Sequence, residues 1–190
     1  MLTHKGTQTI ETSRLILRRA VLEDAEPMFR NWASDPEVTK YLTWPPHRTV
    51  AVSEMVIASW LQEYETVSCY QWMIVPKELG EPIGSISVVR QNDLVEEAEI
   101  GYCIGRPWWH KGVMSEALTA VIEYLFTEVG MNRVTARHDS NNPHSGGVMQ
   151  KCGMKYEGTL RAADRNNQGI CDAAVYGILR RDWEAANKAI

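Results

Sequence analysis

The stretch Glu99 to Leu118, EIGYCIGRPWWHKGVMSEAL, carries residue types and spacings suited to chemistry. A helical pattern opens just after Gly112, and a helix N-terminus presents unpaired N–H groups and the positive end of its dipole, which suits an anion. Gly112 would let the backbone approach a pyrophosphate and Lys111 could add charge; otherwise Gly112 simply makes the turn between a strand and a helix. The stretch is not a dinucleotide fingerprint, because G-x-G-x-x-G is absent, and not a P-loop, because GK[ST] is absent. On an alternating strand Glu97, Glu99, Gly101 and Cys103 share one face, so the two carboxylates are either proton acceptors or solvated edge groups. Further on, Ser145 opens a short helical pattern, where a serine is a natural cap, and Asn142 stands in a turn before Pro143. His110, His138 and His144 have no metal-ligand spacing, so a metal set, or a Cys/His hydrolase with Cys152, is the weaker reading. His138 or His144 as a proton shuttle stays open.

The elements that would position these residues follow from hydrophobic periodicity. Ser13 to Ala20 predicts a strand, and Leu22 to Ser34 a helix around Phe29 and Trp32, in which Pro27 fits only the first turn. Thr49 is placed to cap a second helix running to about Tyr64, with Val52, Val56, Ile57, Trp60 and Leu61 on one face. Between these helices lies a loop rich in Pro and aromatics. Strands over Cys69 to Pro76, Pro82 to Arg90 and Ala98 to Gly105, separated by LGEP and QNDLVEE, read as an antiparallel meander. The period then changes: Met114, Leu118, Val121, Ile122, Leu125 and Val129 recur at helical spacing up to Gly130, a C-terminal stop. Arg133 to His138 is a strand, and a short helix from Ser145 to Cys152 ends at Gly153. MKYEGTLR and DAAVYGILR are strands joined across a turn containing Asn166, Asn167, Gln168 and Gly169. The order predicts a mixed α/β (α+β) fold over one domain, residues 1–190, without repeat or linker.

Composition narrows the class. With 190 residues and 44% hydrophobic content the chain can bury a core. Twenty Lys+Arg against 24 Asp+Glu, net charge −4, with no basic stripe, disfavours a nucleic-acid partner. A cationic, amine-bearing partner suits that balance better. No apolar run fits a signal peptide or a membrane span, so the expectation is a soluble cytoplasmic protein with no membrane partner. Cys69, Cys103, Cys152 and Cys171 lack paired spacing, which points to buried free thiols rather than disulfides or zinc ligands.

Two ordered motifs make the residue pattern specific. Glu99-Ile100-Gly101-Tyr102 with Trp109-His110-Lys111-Gly112-Val113-Met114-Ser115-Glu116-Ala117 resembles the acyl-CoA-binding motif of the GNAT superfamily of N-acetyltransferases, in its RimJ/RimL-type branch. Asn142-Pro143-His144-Ser145, Val148, Lys151, Gly153-Met154 and Glu157-Gly158 resemble that branch's second motif. TSRLILRRAVLEDAEPMF at the start and VYGILRRDW at the end are similar too, so the likeness covers about residues 11–183. It departs from the superfamily at Trp109, where Gln or Arg is common, at His110, and at Met114, where Gly or Ala is expected. A bulky Met114 must point away from a phosphate-binding amide.

The resemblance implies a strongly twisted mixed sheet of about seven strands flanked by helices, splayed midway, with acetyl-CoA wedged into the opening. It implies cofactor contacts from Ile100, Gly101, Tyr102, Ile104, Trp109, His110, Lys111, Gly112, Val113, Met114, Ser115, Asn142 and Ser145, and no metal. It places Glu99 as base and Ser145 as acid near the CoA sulfur; the Tyr that many relatives use seven residues beyond Asn142 is Met149 here. Tyr41, Trp44 and Trp32, with Trp72, would line the acceptor pocket, or else belong to the core. The acceptor would be a primary amine, either a protein N-terminus or a small aminoglycoside, polyamine or amino acid. A non-catalytic acyl-CoA-binding module is the competing reading. By family analogy a homodimer is among the assemblies open to it.

Overall fold

The structure is a computed structural model that describes residues 2–188. Eight strands of the described residues form one sheet: β1 (Ile10–Glu11), β2 (Leu15–Arg18), β3 (Gln71–Pro76), β4 (Gly84–Asn92), β5 (Glu97–Ile104), β6 (Arg133–Asp139), β7 (Lys155–Asn166) and β8 (Gly169–Leu179). Their order is β1-β2-β3-β4-β5-β6-β8-β7. Every neighbouring pair is antiparallel except β5 and β6, which are parallel. The expected meander is β3 to β5, and β2 extends it by pairing antiparallel with β3. The two-residue β1 brings the count to eight and is too short to leave a periodic signal.

Among the described residues six α-helices accompany the sheet: α1 (Ala25–Met28), α2 (Pro36–Thr39), α3 (Val50–Glu63), α4 (Val113–Tyr124), α5 (Pro143–Lys151) and α6 (Arg180–Asn187). The single helix expected over Leu22 to Ser34 is instead a 3-10 turn, α1, and a wide π turn at Phe29–Ala33. Ser34 causes the widening, because both its N–H (3.2 Å) and its hydroxyl (2.7 Å) donate to the carbonyl of Phe29, five residues back. Thr49 stands at the N-cap of α3 without a side-chain cap bond. Gly130, at φ +94°, ends the π turn that closes the α4 segment, and its N–H donates to Leu125 O at 3.1 Å.

Strand alternation divides the core in two. Along β3, Trp72 and Ile74 face a cluster shared with α4 and α5, while Met73 and Val75 face one shared with α1 and α3. That explains why β3 is an unbroken apolar run rather than an alternating one. Each fully buried Leu or Ile of these clusters contributes about 1.5–3 kcal/mol by leaving water. The four cysteines are free and half-buried, less enclosed than their apolar neighbourhoods suggested.

One feature of the sheet shapes the site. β5 pairs with β6 only from Glu97↔Arg133 to Ile100↔Ala136. Beyond that rung Gly101–Ile104 stay with β4, and 137–139 stay with β8. The two strands part, and an opening forms in mid-sheet.

Candidate active site

The loop from β5 to α4 lies beside the opening. Gly112 is the N-cap of α4 at φ +74°, ψ +2°, left-handed backbone that a side chain would strain. His110 also has positive φ, +60°. The first helical bond runs from Glu116 N to Gly112 O (3.0 Å), so the N–H groups of Val113, Met114 and Ser115 precede the ladder and are available to an anion. Met114 is 5% exposed and sits in the core, as a phosphate-facing amide at that position requires. Val113, Ile100 and Ile104 are buried as well. Trp109 Nε1 donates to Ile104 O at 2.8 Å and pins the loop to its strand.

The same loop is held by a residue that periodicity did not single out. Arg14 Nη1 donates to Lys111 O (3.2 Å), and Arg14 Nε pairs with Glu116 in the first turn of α4 (2.6 Å). Its guanidinium adds positive charge beside Gly112. The signal that could have found it is the acidic residue in the helix's first turn, which needs a cationic or hydrogen-bonding neighbour.

The N-terminus of α5 lies close by. His144 in its first turn meets His110 edge to face, ring centroids 5.0 Å apart. Asn142 is the N-cap residue, and its side chain makes no cap bond. Ser145 therefore sits inside the first turn rather than at the cap. Its Oγ lies 3.0 Å from Tyr102 Oη on β5. Gly146 makes this approach possible, because a Cβ there would lie 2.6 Å from His138 Nε2. Met149 is buried in the core.

On the other face of β5, Arg137 Nη2 donates to Glu99 Oε2 (2.7 Å) and Arg133 Nε to Glu97 Oε1 (3.0 Å); Arg133 also pairs with Glu157. Glu99, Glu97, Thr135, Arg137 and Arg90 border a cavity of about 310 Å³. Arg137 Nε is buried without a partner among the described residues. A larger groove of about 1250 Å³ runs between residues 5–12 and the outer side of α4, but neither Glu99, Tyr102 nor Ser145 borders it. Of these three the smaller cavity is bordered by Glu99 alone, and Tyr102 and Ser145 lie on the opposite side of β5 from it.

The aromatic residues separate. Trp32 is 0% exposed among Met28, Ala33 and Ile57, so it offers no surface to an acceptor, and its expected place in a binding pocket is corrected to a core role. Trp72 is likewise core. Tyr41 and Trp44 are half-buried on the loop after α2. Asn167, at the β7–β8 turn, clasps that loop: Nδ2 donates to Thr39 O (2.8 Å) and Trp44 O (2.7 Å), and its main-chain N–H to Leu42 O (3.1 Å). In sequence Asn167 is an ordinary turn residue, and nothing there announced the clasp. No described helix is long and apolar enough to cross a membrane. No three His, Cys, Asp or Glu side chains among the described residues group as metal ligands.

Residues 14–155 match the acetyltransferase (GNAT) domain family. An uncharacterised N-acetyltransferase, p20, of Bacillus licheniformis is 32% identical over 176 residues, 93% of this chain and 98% of the relative. The ribosomal-protein-serine acetyltransferase of Escherichia coli is 25% identical, covering 90% of this chain and 96% of the relative. The microcin C7 self-immunity acetyltransferase MccE, solved with acetyl-CoA and AMP, superposes with a TM-score of 0.80 at 22% identity, covering 94% of this chain and 98% of that one. The chain belongs to the GNAT family of acetyl-CoA-dependent N-acetyltransferases.

Proposed function

We propose that the chain transfers the acetyl group of acetyl-CoA directly to a primary amine in a ternary complex, with Glu99 as base and Ser145 as acid. The observation that carries this is the parting of β5 from β6 after Ile100↔Ala136, with the α4 N-terminus and Ser145 beside the gap and Glu99 one residue before it. The pyrophosphate of CoA would meet the N–H groups after Gly112, and Asn142 would reach the pantetheine arm.

In this reading the amine nitrogen attacks the thioester carbonyl and gives its surplus proton to Glu99. Arg137 occupies Oε2, and Oε1, unbonded among the described residues, takes the proton. The C–S bond then breaks, the electron pair leaves on sulfur, and Ser145 protonates it. The proton held by Glu99 returns to Ser145 through solvent, so the enzyme is unchanged. Holding both substrates in register supplies much of the rate.

A protein N-terminal amine is the acceptor this reading favours, because the acceptor named for the E. coli relative is a ribosomal protein. The test is free-thiol release from acetyl-CoA against a panel of N-terminal peptides and small amines. Response to Ser- or Ala-initiated peptides supports it. Response confined to a polyamine, aminoglycoside or amino acid moves the acceptor to small molecules, and CoA binding without release for any amine leaves a binding module.

A further inference from the structure

We propose that Tyr102 is a positioning residue for the reaction: its phenol sets the direction of the Ser145 hydroxyl, so that Ser145's single hydrogen points into the opening where the thioester sulfur lies. This rests on the reading of Ser145 as donor to the departing sulfur.

Tyr102 stands on β5 two residues past the last rung shared with β6, and Ser145 is reached through the turn after β6. The two hydroxyls therefore join the strands on either side of the gap. Tyr102 Oη lies 3.0 Å from Ser145 O and 3.0 Å from Ser145 Oγ. A phenol has one hydrogen and two acceptors are in range, so two arrangements exist. If Tyr102 donates to the Ser145 carbonyl, Oη is left as an acceptor 3.0 Å from Oγ and competes with sulfur for the serine hydrogen. If Tyr102 donates to Oγ, the serine hydrogen is free. The carbonyl, inside α5, keeps its helical bond in either case, so the change strands no buried group.

Negative charge on the departing sulfur favours the second arrangement, because each bond in a chain from Tyr102 to Ser145 to sulfur strengthens the next. Among the described residues neither hydroxyl has another side-chain partner. Burial pushes the Tyr102 phenol well above its ordinary value, outweighing the opposite pull of Ser145, so it stays protonated and able to donate.

CoA itself is the probe, titrated on the protein by the ultraviolet absorbance of its thiolate, so no acceptor is needed. The bound thiol should titrate about one pH unit below free CoA, the size of one charge-assisted hydrogen bond. Ser145→Ala should abolish that difference and Tyr102→Phe, which keeps the ring, should remove about half of it. The double variant should match Ser145→Ala alone, since a residue acting through another has nothing to add once that one is gone. A Tyr102→Phe protein that titrates like the parent, or a double variant shifted beyond Ser145→Ala, overturns the proposal and leaves the acetyl-transfer reading standing. Bound CoA that titrates like free CoA in the parent removes Ser145 as donor, and both fall together.

Discussion

Arg137 Nη2 donates to Glu99 Oε2 at 2.7 Å just where β5 and β6 cease to pair. Glu99 is 12% exposed at its side chain, so the pair is largely shielded from water and fixes the carboxylate in one orientation. Glu97, two residues earlier on the same face, is tied to Arg133 instead, further from the gap.

The two carboxylates should therefore separate in kinetics. Glu99→Gln should lower turnover by about 10²–10⁴-fold, the usual worth of a general base, with little change in CoA affinity. The loss should shrink as pH rises toward the acceptor amine's own pKa, because more amine then arrives neutral. Glu97→Gln, which keeps an amide oxygen for Arg133 to donate to, should change turnover by less than about threefold. Equal losses for both would return Glu99 to an edge carboxylate, and the measurement is thiol release from pH 6 to 9.

At Gly112 the constraint is conformational before it is steric. A Cβ there would meet only Arg14 Nη2, at 3.7 Å, but φ is +74°. Gly112→Ala should cost about 1–2 kcal/mol, the price of left-handed backbone for an L-residue, and weaken CoA only mildly. Gly112→Asp adds a negative charge where the pyrophosphate must approach, and should weaken CoA at least tenfold beyond the alanine variant. Melting curves with and without saturating CoA separate the two effects: the parent should gain roughly 2.7 kcal/mol at a hundredfold excess over Kd.

How far these features were legible varied with their cause. α4 was readable because its burial follows a period of 3.6, the meander because short apolar runs are punctuated by polar turns, and the β7–β8 hairpin because Asn166 to Gly169 mark its turn. Glu99, Gly112 and Ser145 could be named from motif spacing, and Met114's inward side chain followed from the chemistry of its amide. Arg137 is a different case, because its importance depends on two parallel strands aligning Glu99 with Thr135, a register no local pattern encodes. Arg14 and Asn167 act across separations of 102 and 123 residues, to Glu116 and Trp44, and such contacts exist only once the sheet is assembled. Trp32 stayed between two readings for a related reason: an aromatic residue on an early helix looks the same in sequence whether it faces an acceptor or the core, and only its burial decides.

Glu116 predicts the acid limb of stability. Burial alone would raise its pKa, but hydrogen bonds from Thr12 and from the main chain and side chain of Arg14 outweigh that and hold it below the ordinary glutamate value. A carboxyl lowered by folding stabilises the native state above its unfolded pKa, and that contribution is lost as pH falls through the folded value. Glu116→Gln should therefore lower stability at pH 7 by about 1 kcal/mol, roughly 2–4 °C in Tm for a chain of this size. The gap between variant and parent should close as pH falls below about 4. A gap unchanged from pH 7 to 3 would mean that the charge of Glu116 contributes nothing to joining Thr12 and Arg14 to α4.

Adjacent glycines in α5 should respond to alanine with opposite signs. At Gly146 a Cβ would stand 2.6 Å from His138 Nε2 and 3.2 Å from Tyr176 Oη, in the contact between α5 and the β6–β8 part of the sheet. The imidazole cannot readily swing aside, because its Nδ1 is 2.7 Å from Asp139 O and its ring packs on Tyr176 with centroids 5.6 Å apart. Gly146→Ala should therefore cost about 1–3 kcal/mol, as overpacking does, and by lifting the first turn of α5 should also draw Ser145 from Tyr102 and slow turnover. At Gly147 nothing lies within 4 Å of the added Cβ, and the backbone is ordinary helix. There alanine should stabilise by about 0.5–1 kcal/mol, since it has less freedom than glycine to lose on folding, and turnover should be unchanged. Thermal unfolding and thiol release measured on both variants decide it, and a Gly146→Ala protein as stable and active as the parent would show that α5 does not need its close seat on His138 to place Ser145.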